Sequence, residues 1–369
     1  MSMHSELVLE PNIAEENSLR EITYAEALRE ATAQEMERNE DVFLFGLDVD
    51  DHKGIQGSTL GLKEQFGPLR VFGTPLSEDA MTGIAIGAAM AGRRPIHVHI
   101  RMDFMLLAMN QLINIAAKAH YMYEGQVKVP LVIRTMVGRS WGQGAQHSQS
   151  LHSLFMHIPG LKVIAPSNPH DAKGMLIAAI RDDNPVVFIE HRLLYNTKNY
   201  VNSDCYSLPI GKARIFHQGS DITIVAVSHM VIEALRAQKL LAQVGISAEI
   251  IDPVTLHPMD YESIVASLKK TKKLLIVDNA WLNCGLSSEL MAKMVEMLPH
   301  GIDDKPLQMS RMGFAHTPCP TTRVLEDLFY PNAITISQQA FKMVASQELD
   351  ISHLKLEAAK EIESFKGPF

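Results

Sequence analysis

Two residues stand out once the common catalytic signatures have been set aside. A dinucleotide-binding loop needs G-x-G-x-x-G between a strand and a helix. The nearest candidate, Gly142-Gln143-Gly144, has His147 where the third glycine belongs. No Walker A loop, G-x-S-x-G elbow or H-E-x-x-H helix occurs in the sequence. His147, His152 and His157 recur every five residues, about 500° around a helix, so they share no face that could bind a metal. Glu78 and His147 remain. Glu78 closes the loop TPLSE (74–78) just before a helix of small residues. An acid there either complements the helix dipole or holds a proton for chemistry in a tightly packed site. His147 lies in the long Gly/Ser/Gln loop GRSWGQGAQHSQS (138–150). Long loops without regular structure inside a domain are often functional. A loop histidine acts either as a structural hydrogen-bonder or as a catalyst.

The elements around these residues follow from periodicity. Val42–Gly46, Val129–Thr135, Leu161–Ala165 and Val186–Glu190 read as strands. Ile96–Ile100 alternates apolar residues with His97 and His99, the pattern of a half-buried strand. Thr23 and Glu26 have capping-box spacing for a helix to about Asn39, and Asn168-Pro169 opens another to about Arg181. GIAIGAAMAG (83–92) suits a helix packed closely on another backbone, in a core or at a subunit interface. Residues 104–120 read as one helix, and the ragged stretch 196–210 as a linker. From 222 to 329, strands near 222–227, 248–252, 273–278 and 307–310 alternate with helices at 230–243, 260–269, 286–297 and 322–329. Such alternation means parallel βαβ units. The fold class is therefore α/β, with two parallel-sheet domains. Residues 350–365 form an amphipathic helix candidate.

The 369 residues are 46% apolar and 21% charged, with a net charge of −8. This is globular composition, and the acidic balance argues against nucleic-acid or anionic-membrane partners. No apolar run approaches membrane-spanning length. Cys205, Cys284 and Cys319 are far apart, which suggests a reducing, cytoplasmic setting. The acid-containing first twenty residues read as a solvated arm and not as a targeting peptide.

Several motifs in order carry a resemblance: TPLSE-(x4)-GIAIGAAMAGRRP, DF at 103–104, QLINIAAK at 111–118, GAQHSQS at 144–150, IPGLKVIAPSNPHDAKG at 158–174, AAIRDDNPVVFIEHRLLY at 178–195 and the HPMD turn at 257–260. From about residue 22 to 340 the chain resembles the beta subunit of the thiamine-diphosphate-dependent 2-oxo acid dehydrogenases, the first component of pyruvate, branched-chain and acetoin dehydrogenase complexes. The resemblance implies a flexible arm at 1–20, a pyrimidine-binding transketolase-like domain at 21–198, a linker at 199–208, a transketolase C-terminal-like domain at 209–340 and a tail helix at 341–369. It also implies oxidative decarboxylation of a 2-oxo acid, with acyl transfer to the lipoyl domain of an acyltransferase component. An alpha subunit would hold the diphosphate and Mg²⁺ through a GDG…N motif, which this chain lacks, in an assembly of two alpha and two beta chains.

By the same resemblance Glu78 would hydrogen-bond the aminopyrimidine, Ile100 and Phe104 would line it, and His147 would face the substrate. A potassium ion would rest on main-chain oxygens of Leu131, Ala179, Ile180, Asp182 and Asn184. The family's acids are replaced at Leu47, Gly73 and Asn110, and Arg101 is a new charge near the site, so a more polar or anionic substrate than pyruvate is expected. The alternative is a split transketolase or another carboligating thiamine enzyme that transfers a ketol or acyl unit to an aldehyde.

Overall fold

The computed structural model describes residues 19–139 and 142–354. The arm and most of the proposed tail helix lie outside the described residues. The described chain divides into two units. One comprises 19–138 and 154–210; the other comprises 139–153, apart from the two undescribed positions, together with the chain from 211 onward.

The first unit is built on six parallel strands. In spatial order they are Lys162–Ile164, Val186–His191, Val132–Val137, Arg94–His99, Val42–Gly46 and Val71–Gly73. The chain runs from Val42–Gly46 outward to the edge strand Val71–Gly73, then returns to lay Arg94–His99 on the other side. The connections therefore change direction between Val42–Gly46 and Arg94–His99. In open α/β sheets, ligands bind outside the carboxyl ends of the strands at such a point. Helices Tyr24–Arg38 and Pro169–Arg181 pack on each other. Both have the N-caps expected from sequence: a reciprocal Thr23/Glu26 box, and Asn168 accepting from the Asp171 amide. Buried Glu35 ties the pair together by accepting from Arg181 at 2.6 Å and from Arg38 at 2.8 Å.

Four features differ from the sequence reading. His97 and His99 are both 2% exposed, so Arg94–His99 is not half-buried. It is a central strand with a partner on each side and helix Glu78–Met90 packed against it. Residues 104–120 are not one α-helix. A 3-10 turn (Met102–Ala108), a π segment (Gln111–Ala116) and an α-helix (Ala117–Met122) succeed one another. The first two both contact helix Glu78–Met90. Changing the hydrogen-bond spacing re-aims side chains along such a contact. The stretch read as a linker contains strand Lys198–Asn202, antiparallel to Leu19–Thr23. Helix Ala333–Ala345, capped by Asn332, overlaps only the start of the tail helix expected at 341–369, and residues 346–354 are not helical.

The second unit has strands Gln308–Phe314, Lys273–Trp281, Ile222–Ala226 and Ala248–Asp252, all parallel, with Arg214–His217 antiparallel at the edge. Helices Met230–Gln243, Tyr261–Thr271 and Leu286–Met297 alternate with the parallel strands as expected.

Candidate active site

At the carboxyl ends of the first unit's strands the backbones come very close. Gly46 has φ +151°, and a Cβ there would lie 2.4 Å from the Val98 carbonyl oxygen, so only glycine fits. At Gly73 a Cβ would lie 2.5 Å from Asp50 Oδ1. The Asp50 carboxylate thus stands where a side chain at 73 would begin. Lys63 holds it at 2.6 Å. That hydrogen bond, helped by the Gly73 amide, keeps the Asp50 carboxyl below its ordinary range.

Glu78 is the first residue of helix Glu78–Met90 and is partly exposed. Ser77 provides no side-chain cap, so Glu78 and Asp79 are the groups that complement the helix dipole. One turn along, buried Thr82 places Oγ1 3.1 Å from His99 Nε2. His99 meets the His97 ring edge-on at 4.3 Å, and His97 stacks on Phe45 at 4.5 Å. Burial pushes the His97 imidazole down to about 4. It pushes His99 well below its ordinary value too, with the charge of His97 adding to the effect. Both rings are therefore neutral near pH 7 and act as rigid packing beneath the Glu78 helix.

Ile100 and Arg101 follow strand Arg94–His99 directly, and the Phe104 amide donates to the Arg101 carbonyl at 3.1 Å. Ile100, Arg101 and Phe104 are all partly exposed. Burial lowers the Arg101 pKa, against the pull of Asp103. Glu78 thus follows Val71–Gly73, and Ile100, Arg101 and Phe104 follow Arg94–His99, at the carboxyl ends of the two strands that flank Val42–Gly46.

His147 belongs to the second unit. It is half-exposed, in a loop whose glycines Gly142 and Gly144 have φ +66° and +64°. Cβ atoms there would lie 3.0 Å from the Thr321 carbonyl oxygen and 2.6 Å from Thr321 Cγ2. The loop therefore rests on the 319–321 segment. Burial pushes the Cys319 thiol up, and its Sγ lies 3.5 Å from the Tyr330 hydroxyl. Arg139 lies over the Tyr330 ring at 5.0 Å. His152, buried, bridges Ser150 (3.2 Å) and Asp278 (3.0 Å). Sequence reading missed Asp278, His152 and Asp50. Its nearest signal was the recurrence of histidine after 147.

Leu131, Ala179, Ile180, Asp182 and Asn184 lie at the opposite, amino ends of the strands. Arg94 Nη1 donates to the carbonyls of Ile180 (2.9 Å) and Asp182 (3.1 Å). The Leu131 carbonyl accepts from the Val186 amide and that of Ala179 from the Asp182 amide. A positive group already occupies part of this oxygen set.

Comparison with known proteins gives a consistent picture. Residues 20–198 match the transketolase pyrimidine-binding domain and 211–336 the transketolase C-terminal domain. The chain is 40% identical over 343 residues to the acetoin:2,6-dichlorophenolindophenol oxidoreductase subunit beta of Bacillus subtilis, covering 90% of this chain and 99% of that protein. It is 41% identical over 315 residues to the mitochondrial pyruvate dehydrogenase E1 component subunit beta of Rattus norvegicus, covering 84% and 87%. A solved split-gene transketolase, described as an inactive beta4 tetramer, superposes with a TM-score of 0.71 at 21% identity, over 89% of this chain and 99% of that one. At that identity the likeness concerns the fold.

Proposed function

The chain belongs to the transketolase-like E1 beta subunits of the pyruvate and acetoin dehydrogenase type, and from that premise we propose that it is the beta half of a thiamine-diphosphate-dependent 2-oxo acid dehydrogenase. The observation that carries the proposal is Glu78. It opens the helix that follows strand Val71–Gly73 next to the sheet's switch point, is braced one turn on by Thr82 and His99, and lies at the same carboxyl ends of the strands as Ile100 and Phe104.

These residues fit an aminopyrimidine. A carboxyl group at the crevice can hold a proton against a ring nitrogen, and a partly exposed aromatic offers a face for the ring. When bound, thiamine diphosphate supplies a carbon nucleophile and an electron sink for decarboxylation. Glu78 keeps the proton at the pyrimidine nitrogen. Phe104 and Ile100 fix the ring's plane and exclude water, which strengthens that hydrogen bond. His147 orients the substrate's polar end. Arg101 reads an anionic group on the substrate, because burial strips water from this cation and an incoming carboxylate restores part of the lost solvation.

The chain has no GDG sequence, so a separate alpha chain would grip the diphosphate and Mg²⁺. We place the enzyme in the cytoplasm as two alpha and two beta chains that pass the acyl group to a lipoyl acyltransferase. Among the described residues no helix is long and apolar enough to cross a membrane. We include potassium at the 131 and 179–184 carbonyls, where it would share the Ile180 and Asp182 oxygens with Arg94 and be weakly held for that reason. The relatives near 40% identity carry dehydrogenase or oxidoreductase names and so favour this reading over carboligation. The test is to mix the chain with its GDG-bearing partner and titrate thiamine diphosphate and Mg²⁺ calorimetrically, with 2-oxo-acid-dependent CO₂ release as the second readout. Saturable binding and release are expected for the pair. A pair that binds no cofactor overturns the proposal.

A further inference from the structure

Asp278 lies in strand Lys273–Trp281 and is completely buried. A carboxylate taken out of water is costly unless donors surround it. Asp278 has two. Oδ1 receives His152 Nε2 at 3.0 Å, and Oδ2 faces the Ser287 amide at 3.4 Å, in the first turn of helix Leu286–Met297. A carboxylate only accepts, so its contact places the hydrogen of the His152 ring on Nε2. Nδ1, on the other side of the ring, lies 3.2 Å from the Ser150 hydroxyl. Next along the chain, Ser153 Oγ accepts the Leu286 amide at 3.0 Å.

This Ser-His-Asp series is not a nucleophile relay. Ser150, His152 and Asp278 are 4%, 1% and 0% exposed, so no substrate reaches the hydroxyl. What the series does is stitch residues 150–153 to the start of helix Leu286–Met297. At the other end of the loop, Gly142 and Gly144 rest on Thr321. His147 is half-exposed between these two anchorages, five residues before His152 and one before Ser148.

We propose that Asp278 and His152 are positioning residues that fix the loop carrying His147, so that a buried hydrogen-bond geometry in the second unit sets the placement of a substrate-facing side chain. This rests on the proposed role of His147, and the test keeps the two separable. Asp278→Asn retains shape but removes the charge that fixes the His152 tautomer. His152→Gln retains a donor toward Asp278, whereas His152→Leu removes it. Hydrogen exchange of residues 142–151 in the isolated full-length chain needs no assumption about activity. Exchange there should rise at least tenfold in Asp278→Asn and His152→Leu, with the 78–90 and 222–252 segments unchanged, and should stay near wild type in His152→Gln. In the reconstituted pair, turnover should fall by roughly 10–100-fold in the two disrupted variants, the scale expected for misplacement of a catalytic side chain, with His152→Gln restoring it. Unchanged exchange at 142–151 overturns the proposal, as does a rise spread over the whole second unit. A fall in turnover without any change in exchange also overturns it, since Asp278 would then act on the substrate directly. If wild-type pairs show no turnover but the exchange pattern holds, the functional reading fails while the clamp stands.

Discussion

Replacing His97 with phenylalanine should remove part of the acid sensitivity of this fold. The His97 ring is 2% exposed, stacked on Phe45, and bonded only through Nδ1 to the Phe45 carbonyl at a long 3.4 Å. Its Nε2 has no hydrogen-bond partner among the described residues. A phenyl ring therefore forfeits little. Burial lowers the imidazole pKa from 6.5 to about 4. Between those values the unfolded chain binds the proton and the folded chain does not, so the free energy of unfolding falls as pH falls through that window. Below about 4 both states are protonated and the loss stops. The whole window is worth about 3 kcal/mol, of which about 2 kcal/mol should be lost between pH 7 and pH 5. His99 shifts in the same direction and adds to the wild-type slope. The assay is urea unfolding at half-unit pH steps from 7.5 to 4.5. Overpacking would shift the whole His97→Phe curve, so the slope is the quantity to read. The variant should lose about 2 kcal/mol less than wild type between pH 7 and pH 5. Equal slopes would refute the idea that a buried neutral imidazole packs beneath the Glu78 helix.

Two other substitutions test neighbouring parts of the crevice. Gly73→Asp should drive a second carboxylate against Asp50 and destabilise the chain by about 1–3 kcal/mol, and adding Asp50→Gly should recover most of the loss; thermal unfolding of the two variants decides whether Asp50 fills the space at 73. Arg101→Ala should raise KM for 2-oxo acids bearing a second carboxylate by roughly 10-fold or more, the loss of one charge-assisted hydrogen bond, and change KM for pyruvate little. An identical substrate profile in wild type and variant would remove Arg101 from the pocket.

Much of the architecture could be read from local pattern. Short apolar strands alternating with helices gave two parallel α/β units, and the Thr23/Glu26 and Asn168-Pro169 helix starts stand where their spacing put them. Features that depend on distant partners could not be read this way. Lys198–Asn202 is polar and becomes a strand only because Leu19–Thr23 pairs with it. His97 and His99 look like the wet face of a strand, yet helix Glu78–Met90 packs against that strand and Thr82 reaches His99. The shift from 3-10 to π to α between Met102 and Met122 accompanies contact with that same helix, and no residue type there announces it. Glu78, Ile100, Arg101 and Phe104 were visible as motif positions, and the sheet order shows that they follow the two strands flanking Val42–Gly46. Asp278 and His152 stand 126 residues apart, and only the folded second unit brings them together. Nor could Gly73 indicate from its own position that the Asp50 carboxylate occupies the space beside it.

The most direct measurement is the turnover of Glu78→Gln in the reconstituted alpha–beta enzyme, with cofactor affinity measured on the same sample. Glutamine keeps the shape and loses the acid, so CO₂ release should fall by roughly 100-fold or more, as expected when a positioned proton donor is removed, while thiamine diphosphate still binds through the alpha chain. Undiminished CO₂ release at full cofactor occupancy would contradict the account.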